Sequence, residues 1–279
     1  MSSKVVLITG TSSGIGLAAA VAAARAGFTT VATLRDPRRA DALRKAAEQA
    51  GVELDIRPLD VTDAASVADC VAGILADHGR LDAVVNNAGA GHVGTLENES
   101  VDKVREVMEV NFFGVVQVAK AALPHLRATG GRLVTVTSVG GVIGQPFNEA
   151  YCAAKFAVEG FMESLAPVAA STGVSVSVVE PGAVASEFVA NVGVDRETAV
   201  AGAGAYAPAL GAYLERTQAM FASAAQTSAE AAETIIEALT AERPAFRLQT
   251  SPAARGFVAA KLADLDGTAV QALTSAWIA

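Results

Sequence analysis

A doubly wound α/β fold, a parallel sheet of about seven strands with helices on both faces, is what this sequence predicts. Three observations carry the prediction. Short apolar runs alternate with longer amphipathic runs as far as residue 180. The apolar runs carry hydrophobic residues at successive positions, as strands do when helices cover both sides of a parallel sheet. A glycine-rich turn separates the first apolar run from the first helical one.

The elements follow in order. KVVLIT (4–9) reads as a buried strand, followed by a helix from Gly14 to about Ala26. FTTVATL (28–34) is the second strand and Pro37 to Ala50 the second helix. VELDIRPL (52–59), a helix after Thr62, LDAVVN (81–86) and one long helical pattern from about Ser100 to Arg127 come next. GRLVTVTS (131–138), the helix containing Tyr151, and VSVSVVE (174–180) complete the alternation. Past Glu180 the rhythm changes. Residues 183–226 are rich in alanine and glycine with no clear strand, and a helical stretch (227–241), an edge strand AFRLQT (245–250) and an irregular tail follow. Without internal repeats or a linker, residues 1–279 read as a single domain. The segment 183–226 lies just past a strand's carboxyl end, where open α/β sheets bind ligands. It reads as a substrate lid or as a packing excursion.

Composition bounds the function. Hydrophobic residues make up 52% of the 279 and charged residues 18%, enough for a sizeable core and too apolar for a disordered chain. A net charge of −8 and a pI near 5.0 argue against nucleic acid or an anionic membrane as the main partner, while leaving room for a local basic pocket. Cys70 and Cys152 do not make a disulfide framework, which fits a reducing compartment. MSSKVVLITG breaks into glycine and serine too soon for a signal peptide. No stretch reaches the roughly 18–20 apolar residues of a membrane span. The expectation is a soluble cytoplasmic protein.

TGTSSGIG (Thr9–Gly16) follows the first strand and opens the first helix. Gly10 permits the tight turn, and Gly14 and Gly16 clear the space where a pyrophosphate meets the free amides of a helix N-terminus. No Lys-Ser or Lys-Thr follows, so this is not a Walker loop. Tyr151 and Lys155 share a helix face at i, i+4. A phenol with a pKa near ~10 becomes a useful base only beside a positive charge. By itself such a pair also reads as solvated helix surface. Ser138, at the end of the fifth strand, stands where the sheet's carboxyl edge can gather it with that pair.

The spacing TGxxxGxG, NNAG at 86–89, Ser138, the Tyr151–Lys155 pair and PG at 181–182 occur in the order of the short-chain dehydrogenase/reductase family, which the chain resembles over essentially its whole length. The resemblance implies a Rossmann-type sheet with a nicotinamide cofactor. It assigns cofactor contacts to Gly10, Ser12, Ser13, Gly14, Ile15, Gly16, Asp60, Val61, Asn87, Ala88, Gly89, Tyr151, Lys155, Pro181, Gly182, Val184 and Ser186, the last where the family usually carries threonine. Asp60 also reads as a helix cap near Thr62, and NNAG as a strand-end turn. In TLRDP, Leu34 stands at the acidic position of NAD enzymes. Arg35 follows and can fork onto a 2′-phosphate, with Ser12 and Ser13 as further donors, so NADP(H) is favoured over NAD(H). The rival is Asp36 turning back to the ribose, which gives NAD.

The resemblance makes Tyr151 the general acid in reduction and base in oxidation, with Lys155 lowering its pKa and orienting the nicotinamide ribose. Ser138 fixes the substrate oxygen. Asn111, in EVNFFG, disturbs its helix and links a proton path to the lysine. Hydride transfer is direct and needs no metal; His78, His92 and His125 form no HxxxH or Cys/His grouping. TLRDP, SVGGVIGQPFNEAYCAAKFAVEG and RPAFRLQT resemble the 17β-hydroxysteroid dehydrogenase type 1 and retinol dehydrogenase members. That implies a bulky apolar alcohol or carbonyl substrate facing Ser138, Tyr151, Gly140, Val142 and Phe147. Residues 187–226, however, offer no clear counterpart of steroid-binding side chains. Families of this kind form dimers or tetramers, so a homo-oligomer is expected. Other readings are an NADP(H)-binding sensor or scaffold without turnover, the same chemistry with NAD on a small carbonyl, and a nucleotide-sugar epimerase. Cys152 reads as packing, and Trp277 as a pocket or interface residue or a tail anchor.

Overall fold

The strands of the computed structural model, which describes residues 3–186 and 195–278, are β1 (Val5–Thr9), β2 (Thr29–Leu34), β3 (Asp55–Pro58), β4 (Ala83–Asn86), β5 (Arg132–Val136), β6 (Ser175–Glu180), β7 (Val184–Ala185), β8 (Gln226–Thr227) and β9 (Arg247–Gln249). Seven of them form one sheet in the order β3-β2-β1-β4-β5-β6-β9. Every neighbouring pair is parallel. The helices are α1 (Gly14–Arg25), α2 (Asp41–Ala50), α3 (Ala64–His78), α4 (Val101–Met108), α5 (Gly114–Thr129), α6 (Glu149–Ala170), α7 (Arg196–Gly202), α8 (Ala207–Ala224), α9 (Ser228–Thr240), α10 (Pro252–Leu262) and α11 (Thr268–Ser275).

All five residues of β1 are buried, and its four apolar ones alternate between two cores. Val5 and Leu7 face Val71, Ile74, Val118, Leu126 and Met162 from α3, α5 and α6. Val6 and Ile8 face Ala19, Ala20 and Ala23 of α1 and Ile235, Ala238 and Leu239 of α9. Each fully buried Leu or Ile stabilises the fold by roughly 1.5–3 kcal/mol. The chain turns outward in opposite directions from β1 and β4, so their carboxyl ends open the crevice where such sheets bind ligands.

Four segments depart from the sequence expectation. The helical pattern from Ser100 to Arg127 is not one α-helix: a π turn at Glu109–Phe113 separates α4 from α5. The run from Pro37 splits, because the Asp36 carboxylate accepts from Arg38 N at 3.1 Å and closes a 3₁₀ turn before α2 begins. Within 183–226, β7 and β8 pair as a two-rung parallel ladder, and α7 and α8 lie between them. The expected lid falls partly outside the described residues. The tail is helical rather than irregular, α10 opening on Ser251, whose Oγ accepts from Ala254 N at 3.1 Å.

Candidate active site

The glycine turn at the end of β1 is held from both sides. Thr11 N and Oγ1 both donate to Thr33 O, at 2.9 and 3.1 Å, tying the turn to β2. Asn87, just past β4, donates from Nδ2 to Thr9 O and Gly10 O at 3.0 Å each. Thr9 Oγ1 in turn accepts from Asn87 N and Ala88 N at 3.0 Å. The packing leaves no room for side chains. A Cβ on Gly10 would lie 2.7 Å from Ala88 Cα, and φ there is +71°, a left-handed conformation. One on Gly16 would lie 2.2 Å from Gly10 O and 2.3 Å from Asn87 Nδ2. Ser13 sits at the N-cap of α1 with extended backbone and makes no side-chain cap bond among the described residues. The first amides of α1 are therefore left without a side-chain cap at the carboxyl end of β1, the kind of helix N-terminus that favours anions.

At β2's end Leu34 is buried and Arg35 exposed. Asp36 is forked by Arg38, Nε to Oδ1 at 2.9 Å and Nη2 to Oδ2 at 3.0 Å, and this guanidinium holds its carboxyl below the ordinary carboxylate range. Asp60 caps its own turn, Oδ1 accepting from Thr62 N at 2.9 Å and Thr62 Oγ1 at 2.7 Å, while Val61 is packed in the core. Pro181 O accepts from Val139 N at 3.0 Å, joining the PG turn to the loop after Ser138. Val184 is buried in β7, and a Cβ on Gly14 would stand 3.4 Å from Ser186 Cβ, so Ser186 lies over the glycine turn.

The residues expected to react are carried by the end of β5, by α6 and by the π turn. Ser138 leaves β5 and caps a 3₁₀ turn, its Oγ accepting from Gly140 N at 3.0 Å. Its hydroxyl also hydrogen-bonds the Tyr151 phenol. Lys155, one turn along α6, is buried; its Nζ donates to Val136 O at 3.2 Å and sits 5.8 Å from the centroid of the Tyr151 ring. Asn111 is fully buried in the π turn. Its Nδ2 donates to Val107 O, four residues back, and to Ala90 O, both at 3.0 Å; its Oδ1 accepts from Ala90 N at 3.2 Å. The side chain thus replaces helical backbone bonding with a bridge to the NNAG loop, which is why the helix widens there. A Cβ on Gly89 would stand 2.9 Å from Asn111 Oδ1 and 3.6 Å from Lys155 Nζ, so two of the four residues read as catalytic meet at that loop.

Burial sets the electrostatics. It pushes the Lys155 ammonium down to about 8, partly offset by Glu159. It pushes the Tyr151 phenol well above its ordinary value, the Ser138 hydrogen bond working the other way. The Cys152 thiol is raised to about 11 by burial, so it is a packing group rather than a nucleophile.

The residues read as substrate contacts have structural partners. Val142 packs with Val139, Ile143, Ala254 and Val258. Gly140 lies under Ser138 Oγ and Cys152 Sγ. Phe147, with φ of 57°, is buried with its ring 5.6 Å from that of Tyr213 on α8. Asn148 Nδ2 donates to the Tyr213 hydroxyl at 2.6 Å, and Trp277 stacks on Phe257 while packing against the same cluster as Phe147 and Tyr213. Two features escaped the sequence reading. His92 Nε2 pairs with Glu99 Oε1 at 2.5 Å beside the NNAG loop. Glu159 and Glu180 are buried around Arg247; the recurrence Tyr151, Lys155, Glu159 along one face of α6 was the signal for the first of them.

The pattern of the family described as short chain dehydrogenase matches residues 4–197. The chain is 38% identical to retinol dehydrogenase 8 of Bos taurus, over 95% of this chain and 87% of that one. It is 39% identical to 17-beta-hydroxysteroid dehydrogenase type 1 of Homo sapiens, over 90% and 78% respectively. Among solved structures, a short chain dehydrogenase/reductase from Burkholderia phymatum in complex with NAD is 26% identical with a TM-score of 0.80, covering 95% of this chain and 94% of that one. An alcohol dehydrogenase from Thermococcus sibiricus complexed with 5-hydroxy-NADP is 28% identical with a TM-score of 0.71, covering 89% and 96%. The family pattern spans most of the sheet and both ends of the crevice, and the chain belongs to the short-chain dehydrogenase family, oxidoreductases acting on CH–OH groups.

Proposed function

We propose that the protein is an NADP(H)-dependent oxidoreductase that interconverts a bulky apolar alcohol and its ketone or aldehyde, with Tyr151 as general acid and base. The observation that carries this is the phenol of Tyr151, bonded to the Ser138 hydroxyl with the buried Lys155 ammonium beside its ring. When bound, the nicotinamide supplies or accepts the hydride.

The chain's own residues do the rest. Ser138 holds the substrate oxygen against the phenol, and Tyr151 gives that oxygen a proton in reduction and takes it in oxidation. The phenolate left behind is stabilised by Lys155 across a dry, low-dielectric gap, where a charge acts far more strongly than in water. Asn111 ties the NNAG loop to the helix that faces Lys155, keeping the lysine's side of the crevice fixed.

The fit of a dinucleotide rests on the glycine cradle, where added Cβ atoms would collide with backbone, and on the open N-terminus of α1. The 2′-phosphate preference rests on Arg35, exposed at the crevice rim, and on Asp36, whose carboxylate is already forked by Arg38 and would have to leave it to reach a ribose. The bulky apolar substrate rests on the retinol and 17-beta-hydroxysteroid dehydrogenase relatives. It also rests on the apolar cluster of Val93, Phe147, Leu210 and Tyr213 between the body and α8, which makes 183–226 the candidate lid. A cytoplasmic homo-oligomer completes the proposal. Among the described residues no helix is long and apolar enough to cross a membrane.

The test is a panel of steroids, retinal and simple aryl ketones with NADPH and NADH, run on the wild type and on Tyr151→Phe. We expect turnover with a bulky apolar carbonyl and a loss of about 10²–10⁴-fold in the variant, at unchanged NADPH affinity. Wild-type rates in Tyr151→Phe would overturn the mechanism.

A further inference from the structure

One helical turn beyond Lys155, on the same face of α6, lies a second buried titratable group that the mechanism does not use. Glu159 is 4% exposed and Glu180, the last residue of β6, is 0% exposed. Both carboxylates reach the same donor: Arg247 Nε, on β9, is 3.2 Å from Glu159 Oε2 and 3.4 Å from Glu180 Oε1. A guanidinium Nε carries one hydrogen, and here it is donated to Glu159 Oε2. Glu180 Oε1 makes no hydrogen bond among the described residues, while its Oε2 accepts from Gln249 Nε2 at 2.8 Å. The guanidinium's other end is taken by Glu163 on α6, at 2.7 Å from Nη2.

Thr137 sharpens the count. Its Oγ1 lies 2.5 Å from Glu159 Oε1 and 3.1 Å from Val179 O, two acceptors for one hydroxyl hydrogen. A proton on Glu159 resolves the conflict, since the carboxyl then donates to Thr137 and Thr137 donates to Val179 O. Two buried carboxylates beside one N–H also repel when both are ionised. The groups facing Glu159 are therefore Lys155 and Glu163 from α6, Thr137 from the end of β5, Glu180 from β6, and Arg247 from β9; a Cβ on Gly141 would touch its Cγ at 3.1 Å, so backbone covers the remaining side. The register is tight. Val136 O holds Lys155, Thr137 holds Glu159 and Ser138 holds Tyr151, three successive residues on three turns of one helix.

We propose that Glu159 is a positioning residue for the Lys155–Tyr151 pair: it shares one proton with Glu180 across Arg247, and its charge sets the field that Lys155 feels one turn away. The carboxylate acting on Lys155 is Glu159, and burial pushes its own carboxyl up to about 7. As Glu159 ionises, Lys155 holds its proton more firmly; as Glu159 protonates, Lys155 releases it more easily. This rests on the assignment of Tyr151 and Lys155 to proton transfer, but its first readout needs no turnover.

The experiment uses the full-length protein labelled with ¹³C in lysine and glutamate. Lys155 Cε and Glu159 Cδ are followed by NMR against pH, their signals assigned by loss in Lys155→Met and Glu159→Gln. In Glu159→Gln, which keeps the shape of the side chain, the Lys155 midpoint should fall by about one pH unit. In Glu180→Gln, Glu159 no longer has a buried like charge, so it should ionise at lower pH and the Lys155 midpoint should rise. A Lys155 midpoint unmoved in Glu159→Gln, or a wild-type Glu159 that titrates as an ordinary carboxylate, overturns the proposal. Should Glu159→Gln fail to fold, a Lys155 midpoint unmoved in Glu180→Gln overturns it equally. With an alcohol that the panel above returns as substrate, the acid limb of the oxidation profile should move down in Glu159→Gln and up in Glu180→Gln. Turnover by Tyr151→Phe would sink the catalytic assignment and leave the NMR result standing.

Discussion

The two ends of the crevice are built from opposite materials. At the glycine turn almost nothing is charged, and the work is done by backbone amides, two threonines and the Asn87 side chain, packed until no Cβ fits at Gly16. Four strands later in the chain, the end proposed to react sets buried Lys155 beside a phenol, with Glu159 and Glu180 buried around Arg247 behind it. The first end depends on volume and the second on charge. A substitution that is harmless in one place is damaging in the other, and pH reaches only the second.

That contrast can be broken at either end. The largest effect is expected at the charged one. The Glu159 carboxyl, at 4.5 unfolded and about 7 folded, binds its proton more tightly in the folded state. Folding stability therefore falls as pH rises through that window, by about 3 kcal/mol in all. Lys155 acts at higher pH: folded at about 8 against 10.5 unfolded, it makes stability rise across that interval. Urea unfolding of Glu159→Gln should show its stability relative to wild type improving by about 3 kcal/mol from pH 5 to pH 8. A constant difference between the two pH values would mean that Glu159 ionises normally. Next comes Gly16→Ala, expected to cost about 1–3 kcal/mol of stability and to weaken NADPH binding, with no pH dependence in either. Calorimetry that finds tight NADPH binding in this variant would show that the turn has slack. The smallest effect is at Arg35. Arg35→Ala should weaken NADPH by roughly tenfold and leave NADH nearly unchanged, as one lost charge-assisted contact at an exposed rim implies. Equal losses for both cofactors would return the choice to Asp36.

Legibility divides along similar lines. The strands could be read because each needs two apolar faces, as in KVVLIT and VSVSVVE. The turn could be read because only glycine satisfies Gly10, and the Tyr151–Lys155 pair because helical spacing is local. The π turn could be read only through the family resemblance, which has Asn111 disturb its helix. It exists because Asn111 meets Ala90, twenty-one residues away in the chain, and nothing near EVNFFG announces that partner. The Glu159–Glu180–Arg247 group failed to show for the same reason, its members coming from α6, β6 and β9. Helices α8 and α10 were hidden differently. Alanine is the commonest residue in both, so their buried and exposed faces contrast too weakly to mark a period, although alanine itself favours the helix.

The ladder of β7 and β8 pairs Val184 with Gln226 and Ala185 with Thr227, so the segment from 186 to 225 departs and returns at neighbouring points on the frame. A segment with adjoining ends is modular. Its length and composition can drift without moving either attachment, because closing a longer loop between fixed ends costs little more than closing a short one. Descendants of this chain can therefore exchange the segment between these two strands by recombination or insertion while the glycine turn and the Ser138–Tyr151–Lys155 edge stay in place. Variation there is then inherited separately from the frame that carries it.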